Sequence, residues 1–420
     1  MIQPIPRIDP FSVRGWCPSS ARPMQTGDGL IVRVSPRGRS LSTGDLAAIA
    51  DIAERHGNGL IDLTRRANIQ LRGITERSLP HVWQELTRIG LLGAETANIL
   101  VGPLAGVDAH EIVDARRLAD ALEAAVVGNP SIAALPDKFS FVVDGGGRLP
   151  LDDVGGDMCL RAVRIDGNAV VALTVDRPGG TRLVANCAVE DAAAVAADLA
   201  ARYLRLRPHT GARMRDVPEG AVDALLADAR LRAIDMPSPR PAQHPLGPVR
   251  IGGDLVAVGL AAAFGRLASD EVHGLADCAS RSGIAAFRVS PWRSLYALTD
   301  DDTAARALTT WSAAAGLITD THDPLHLIDA CPGTSGCSSA SVDTRLAARA
   351  LAPSLRALGV STCHVSGCSK GCARSTAADL TLVGASGTFA VIHQGTARSA
   401  PSRFVHPGDL ASHPHLLKPV

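Results

Sequence analysis

The chain repeats itself, and that repeat constrains its fold more than any other feature. Sliding the sequence by 226 residues lays 41–92 on 267–318 without a gap. Under that shift Leu41 meets Leu267, Ala50-Asp51 meets Ala276-Asp277, Arg55 meets Arg281 and Gly57 meets Gly283. Gly90-Leu91 likewise meets Gly316-Leu317. A repeat of this length implies one architectural unit used twice. Hydrophobic periodicity agrees between the copies. Residues 30–34 and 256–260 read as strands, and 42–55 and 268–281 as amphipathic helices with Ser-type starts and glycine stops. Residues 60–63 with 69–71, and 286–289 with 295–298, read as paired strands, followed by helices at 79–88 and 304–314. Each copy is therefore β-α-β-β-α, a ferredoxin-like α+β unit.

The duplication extends further. Val113-Asp114 with Arg116 resembles Val342-Asp343 with Arg345, at a shift of 229, and both open Ala/Leu-rich helices. The predicted fold class is α+β: two pseudo-repeated halves, each a ferredoxin-like half-domain followed by an α/β domain. The expected boundaries are 1–97 and 98–236 in the first half and 249–322 and 323–420 in the second. Between them lies 237–248, PSPRPAQHPLGP, too proline-rich for a helix.

Of 420 residues, 46% are hydrophobic and 20% charged, which excludes low-hydrophobicity disorder. Lys plus Arg and Asp plus Glu are each 42, so any cationic site is local and nucleic acid is not an expected partner. Four Trp, two Tyr and seven Phe are too few for a base-stacking platform. The opening MIQPIPRIDPFSVRGW lacks the basic-then-apolar plan of a signal peptide, and no uninterrupted apolar run of about 18 residues occurs. A cytoplasmic chain without a membrane span is the expectation.

Nine cysteines in such a chain do not suggest a disulfide framework. Cys17, Cys159, Cys187 and Cys278 are scattered and read as small buried hydrophobes. Cys331 and Cys337 are separated by five residues; after 30 more come Cys368 and Cys372, separated by three. Two close thiolate pairs are what a [4Fe–4S] cluster requires. Structural zinc favours tighter knuckles, so zinc is the weaker alternative and unligated thiols a third. Gly333, Gly336, Gly367 and Gly371 would let backbone amides approach the cluster. Cys363, beside His364, reads as a buried spectator. At a shift of 229, Gly102 stands opposite Cys331 and Asp108 opposite Cys337, so the metal chemistry belongs to the second half.

C-x5-C, a long gap and C-x3-C on two ferredoxin-like halves resembles the sirohaem nitrite/sulfite reductase family. That resemblance implies that Cys372 also bridges the cluster to a sirohaem iron. Leu63-Thr64-Arg65-Arg66-Ala67-Asn68-Ile69-Gln70 is similar to the family's T-x-R-x-x-x-Q strand, so Arg65, Arg66, Asn68 and Gln70 are implied tetrapyrrole contacts. Arg33 matches an arginine on the family's first strand, before its Pro-x-Gly turn. The chemistry is coherent, because such tetrapyrroles carry several carboxylates and a guanidinium pairs with a carboxylate through two parallel hydrogen bonds. Arg33, Arg37, Arg39, Arg65, Arg66 and Arg72 belong to the first copy, whereas the second has Gly259 opposite Arg33 and Trp292 opposite Arg66. The anion-binding equipment looks one-sided.

The reductases of that family hold an anionic oxide with several cations. Here Lys138 remains of the K-x-K pair, but Ser140 takes the second place. Ala97 stands where an arginine precedes the Asn98-Ile99 strand, and Asp62 stands four residues before Arg66 in place of another. These losses favour the family's compact branch in aerobic cobalamin biosynthesis. Its reaction is an O2-dependent hydroxylation of precorrin-3A with γ-lactone formation. Lys138 and Arg33 are the candidate catalytic cations. Sulfite or nitrite reduction is the alternative, and an iron–sulfur electron carrier or redox sensor a further one. Neither G-x-G-x-x-G nor G-x-x-x-x-G-K-[ST] occurs, so electrons are expected from a separate NAD(P)H-dependent reductase or a ferredoxin. A sirohaem or a mononuclear iron beside the cluster both remain compatible with the sequence.

Overall fold

The structure, a computed structural model, describes all residues except 1–16, 37–38, 94–96, 179, 236 and 420. Arg37 and residues 1–16 therefore lie outside the described residues. Among the described residues the strands form four five-stranded sheets. The first contains Met24–Thr26, Gly29–Val34, Ile69–Ile74 and Leu60–Leu63, closed at its edge by Arg266–Ala268 of the second copy. The second contains Gly247–Gly252, Leu255–Ala261, Ser294–Thr299 and Ala286–Val289, closed by Leu41–Ser42 of the first copy. Leu267 pairs with Ile61, and Leu41 pairs with Phe287. Leu41 and Leu267 are equivalent in the repeat, so the exchange of edge strands is reciprocal. The two ferredoxin-like copies consequently share one apolar core, in which Ile49 and Ile61 join Leu275 and Phe287.

The repeat is also visible in the backbone. Ala67 and Arg293, equivalent under the 226 shift, both adopt positive φ, 52° and 59°. Non-glycine residues rarely take that conformation, so its recurrence marks the same turn built twice. The helix Thr43–His56 starts at a capping box between Ser42 and Asp45. Its counterpart Ser269–Arg281 starts with Glu271 bonded back to Ala268 N–H.

The α/β segments match each other as well. Ile99–Val101, Phe141–Asp144 and Met158–Ile165 run parallel, followed by two antiparallel strands. Ile328–Ala330, Cys363–Ser366 and Ala378–Ala385 repeat that plan, again with two antiparallel strands after them. Asp114 and Asp343 cap the equivalent helices Ala115–Val127 and Thr344–Leu351. The proline-rich connection ends sooner than the sequence suggests: a strand begins at Gly247 because Pro248 sits on an edge, where no amide is required. The connection is anchored, since Arg240 donates to Asp144 and His244 stacks on Trp292. Among the described residues no helix is long and apolar enough to cross a membrane.

Candidate functional site

Parallel strands deliver the cysteines. Ile328–Ala330 and Cys363–Ser366 lie side by side with Ala330 opposite Val365, so the loops after both leave from the same edge. Loops at the carboxyl ends of parallel strands are where open sheets build sites. Cys331 and Cys337 come from one loop, Cys368 and Cys372 from the other, and all four thiols are free. Gly367 N–H donates to Cys331 Sγ at 3.1 Å, tying the loops together. Burial pushes the Cys368 thiol up, as do Cys337 and Cys331 nearby. Burial pushes Cys372 up to about 11; Lys370 opposes this, and the other three cysteines reinforce it.

Cys372 is nonetheless the most open of the four. Among the described residues no three His, Cys, Asp or Glu side chains converge closely enough for a single ion. The donor set, four soft thiols on two adjacent loops with the Gly367 amide already turned to sulfur, fits a multi-iron cluster. Cys363 faces the domain core at the other end of its strand, with its thiol pushed up by burial. His364 is fully buried, with both ring nitrogens unpartnered and its pKa lowered to about 4 by burial.

The first half closes the same loops with carboxylates. Asp108, opposite Cys337 in the repeat, accepts from Arg148 N–H at 2.6 Å and His110 N–H at 3.0 Å. Asp144 accepts from the amides of Gly146 and Leu151. Glu111 accepts from Gly106 N–H, and burial raises its carboxyl to about 7.

Two aspartates, Asp62 buried and Asp329 half-buried, organise the ground beside the cysteines. Asp62 binds Arg266 at 2.7 and 2.9 Å, Arg72 at 3.2 Å and Arg345 at 3.5 Å. Burial alone would raise its carboxyl, and these guanidiniums hold it below the usual range. Asp329 binds Arg65, Arg293 and Arg374 in the same way. Asp62 was expected to replace a cation in an anion pocket; the structure instead makes it the centre of a charge cluster, away from the cavity described next.

That cavity, of about 880 Å³, lies between the first ferredoxin-like copy and the first α/β segment. Arg22, Arg33, Arg39, Arg66, Arg116 and Arg288 line it, against the two acids Glu123 and Asp137. Arg33 Nε, Arg39 Nε and Arg66 Nη1 are buried there without an acceptor. Arg66 Nη2 donates to the Lys138 carbonyl at 3.0 Å, and burial lowers the Arg66 pKa. Arg288 gives two bonds to the carbonyls of Pro103 and Ala105, and burial lowers it to about 10.

Of the residues chosen from sequence, Arg33, Arg66 and Asn68 meet in this cavity. Arg39 also lines it, although it is paired to Asp120 and Glu123. Gln70 is paired in register with Arg33 but is not on the wall. Arg65 turns away to Asp329 and to the Ala373 carbonyl beside Cys372. Arg72 is buried against Asp28 and Asp62. Lys138, the candidate catalytic cation, is not on this wall: in the turn closed by Phe139 N–H to the Pro136 carbonyl, Asp137 and Phe139 reach it. Ser140 is buried off the wall, its amide donating to Asp157, whereas Ala97 lines the cavity. Cys17, read as a buried hydrophobe, is half-exposed on the cavity wall. Arg288 shows that the arginine set is not one-sided. Its counterpart under the repeat is Asp62, so comparison of the copies gave no hint of it.

Residues 22–89 match the nitrite/sulfite reductase ferredoxin-like half domain. Over 403 residues the chain is 34% identical to a precorrin-3B synthase from Sinorhizobium, covering 95% of this chain and 87% of that protein. It is 27% identical over 390 residues to sulfite reductase [ferredoxin] 2 of Mycolicibacterium paratuberculosis, covering 84% and 69%. The solved structure of Mycobacterium tuberculosis NirA protein superposes with a TM-score of 0.75 at 24% identity, over 91% of this chain and 79% of that one. At that identity the superposition speaks for the fold.

Proposed function

The chain belongs to the nitrite/sulfite reductase family, in the line that includes precorrin-3B synthase, and from that premise we propose that it hydroxylates precorrin-3A with O2 and closes the lactone of the product in aerobic cobalamin biosynthesis. The observation that carries this reading is the arginine-lined cavity, with three buried guanidinium nitrogens lacking acceptors. Unpaired guanidinium donors are costly, and carboxylates of a bound tetrapyrrole would pair with the arginines of this wall.

Each residue has a definable task. Arg33 and Arg66 bind carboxylates and fix the ring's register, with Asn68 beside them. Arg288 braces the far wall through Pro103 and Ala105. Lys138 serves through its backbone, holding the Arg66 guanidinium in place. Cys331, Cys337, Cys368 and Cys372 would hold a [4Fe–4S] cluster, which supplies single electrons when bound. Cys372 would also be the residue to hold a sirohaem or mononuclear iron beside the cluster, and a ferredoxin or an NAD(P)H-dependent reductase would be the electron source. Arg65 ties the cavity turn to the cysteine loop, donating to Ala373 while its neighbour Arg66 faces the cavity.

Sulfite or nitrite reduction is less well served. Ala97 leaves one cation missing from the wall, and Lys138 and Ser140 do not reach it. The purified holoenzyme, given an artificial electron donor, should reduce sulfite and nitrite negligibly, while a uroporphyrinogen-derived polycarboxylate ring binds. Rapid sulfide production from sulfite would replace this reading with the reductase one.

A further inference from the structure

Each aspartate-centred cluster takes one arginine from each of three parts of the chain. Asp62 gathers Arg72 from the first ferredoxin-like copy, Arg266 from the second and Arg345 from the cysteine domain. Asp329 gathers Arg65, Arg293 and Arg374 from the same three parts. Both clusters touch the cysteine loops. Arg72 Nη2 donates to the Gly336 carbonyl, next to Cys337, at 3.5 Å. Arg65 and Arg293 donate to the Ala373 carbonyl, next to Cys372, at 2.9 and 2.8 Å. Arg345 directly follows Thr344, whose hydroxyl donates to the Cys331 carbonyl at 2.5 Å.

The charges do not cancel. Six arginines face Asp62 and Asp329, with Asp28 as a further acid on Arg72. Arg345 keeps Nε and Nη1 buried with no acceptor. A [4Fe–4S] cluster with its four thiolates is an anion that gains one more negative charge on taking up an electron, and net surrounding charge is one determinant of its potential. Arg72, Arg266, Arg293 and Arg345 are largely shielded from solvent, where water screens their charge little.

We propose that the two arginine clusters raise the reduction potential of the cluster, with Arg345 and Arg374 as potential-setting positioning residues. This rests on the cluster assignment made above. The electron comes from an external reductant and goes to the cluster; no bond forms or breaks. A purely architectural latch between domains would leave the potential unmoved. Arg345 and Arg374 can be removed singly, because Asp62 keeps Arg72 and Arg266, and Asp329 keeps Arg65 and Arg293.

The test is a dithionite titration of the full chain, reconstituted without oxygen and followed by electron paramagnetic resonance, with iron and sulfide measured for every sample. At the wild-type midpoint, Arg345→Met and Arg374→Met should each lower the ratio of reduced to oxidised cluster by about tenfold, equivalent to ~59 mV for one electron. Arg345→Lys should retain most of the wild-type potential. Arg356→Met, at an exposed arginine bonded to the His322 carbonyl, should leave it unchanged. Wild-type potentials in both Arg345→Met and Arg374→Met overturn the proposal. Should Arg345→Met not hold the cluster, Arg374→Met decides by the same criterion. A wild-type chain that binds no iron and sulfide overturns the cluster assignment itself, and the proposal with it.

Discussion

Arg65 and Arg66 are neighbours in the chain, yet they serve opposite sides of one turn. Arg66 faces the arginine-lined cavity and holds the Lys138 carbonyl, while Arg65 holds the Ala373 carbonyl next to Cys372. The five-residue turn Thr64–Asn68 makes this possible. Thr64 Oγ1 accepts the amides of Arg66 and Asn68, and Ala67 takes the left-handed conformation that reverses the chain.

Loss of the Arg66 side chain should therefore weaken tetrapyrrole binding. A charged hydrogen bond is worth about 1.5–3 kcal/mol, so Arg66→Ala should raise the Kd for a polycarboxylate tetrapyrrole roughly 10–150-fold. Fluorescence quenching titration measures it. Unchanged affinity would remove Arg66 from the binding set.

Cys331→Ser, Cys337→Ser, Cys368→Ser and Cys372→Ser should each reduce bound iron and acid-labile sulfide, because each leaves one iron without a thiolate. Cys363→Ala should keep both at wild-type content, since its thiol is packed in the core. Full iron and sulfide in Cys368→Ser would contradict the ligand set.

Asp62→Asn should be strongly destabilising. It leaves Arg72, Arg266 and Arg345 buried around a neutral group, and breaking a buried pair typically costs about 3–5 kcal/mol. Urea unfolding gives the value. A loss under about 1 kcal/mol would show that the cluster of charges relaxes into solvent.

Glu111 makes stability depend on pH. Its folded pKa, raised to about 7 by burial, exceeds the ordinary value, so the native state binds the extra proton. Its contribution is present below the ordinary glutamate pKa and is lost as pH rises towards 7 and beyond. Because the group is only half-buried, the loss should be about 1–2 kcal/mol after solvent screening. Glu111→Gln should flatten thermal melts across pH 5–8; an unchanged slope would assign the pH dependence elsewhere.

Much of this was legible in the sequence, and the rest was hidden for physical reasons. Periodicity and caps located the two helices that open the ferredoxin-like copies within a residue or two, because local propensity and burial agree there. Chemistry in two short loops made the cysteines recognisable. The edge-strand exchange was not legible: Leu41–Ser42 is only two residues long, and its partner is chosen by tertiary packing. Asp62 was misread for a related reason. Position in a motif says what residue is present, but not that Arg266 and Arg345, more than 200 residues away, converge on it. Lys138 is not on the cavity wall while Asp137 and Phe139 are, and the tight turn that decides this is not given by periodicity.

The most direct measurement is incubation of the reconstituted holoenzyme with precorrin-3A, a reductant and isotopically labelled dioxygen, followed by mass spectrometry of the tetrapyrrole. A product carrying one labelled oxygen atom is the result this account predicts. An unlabelled tetrapyrrole, together with efficient conversion of sulfite to sulfide by the same preparation, would contradict it.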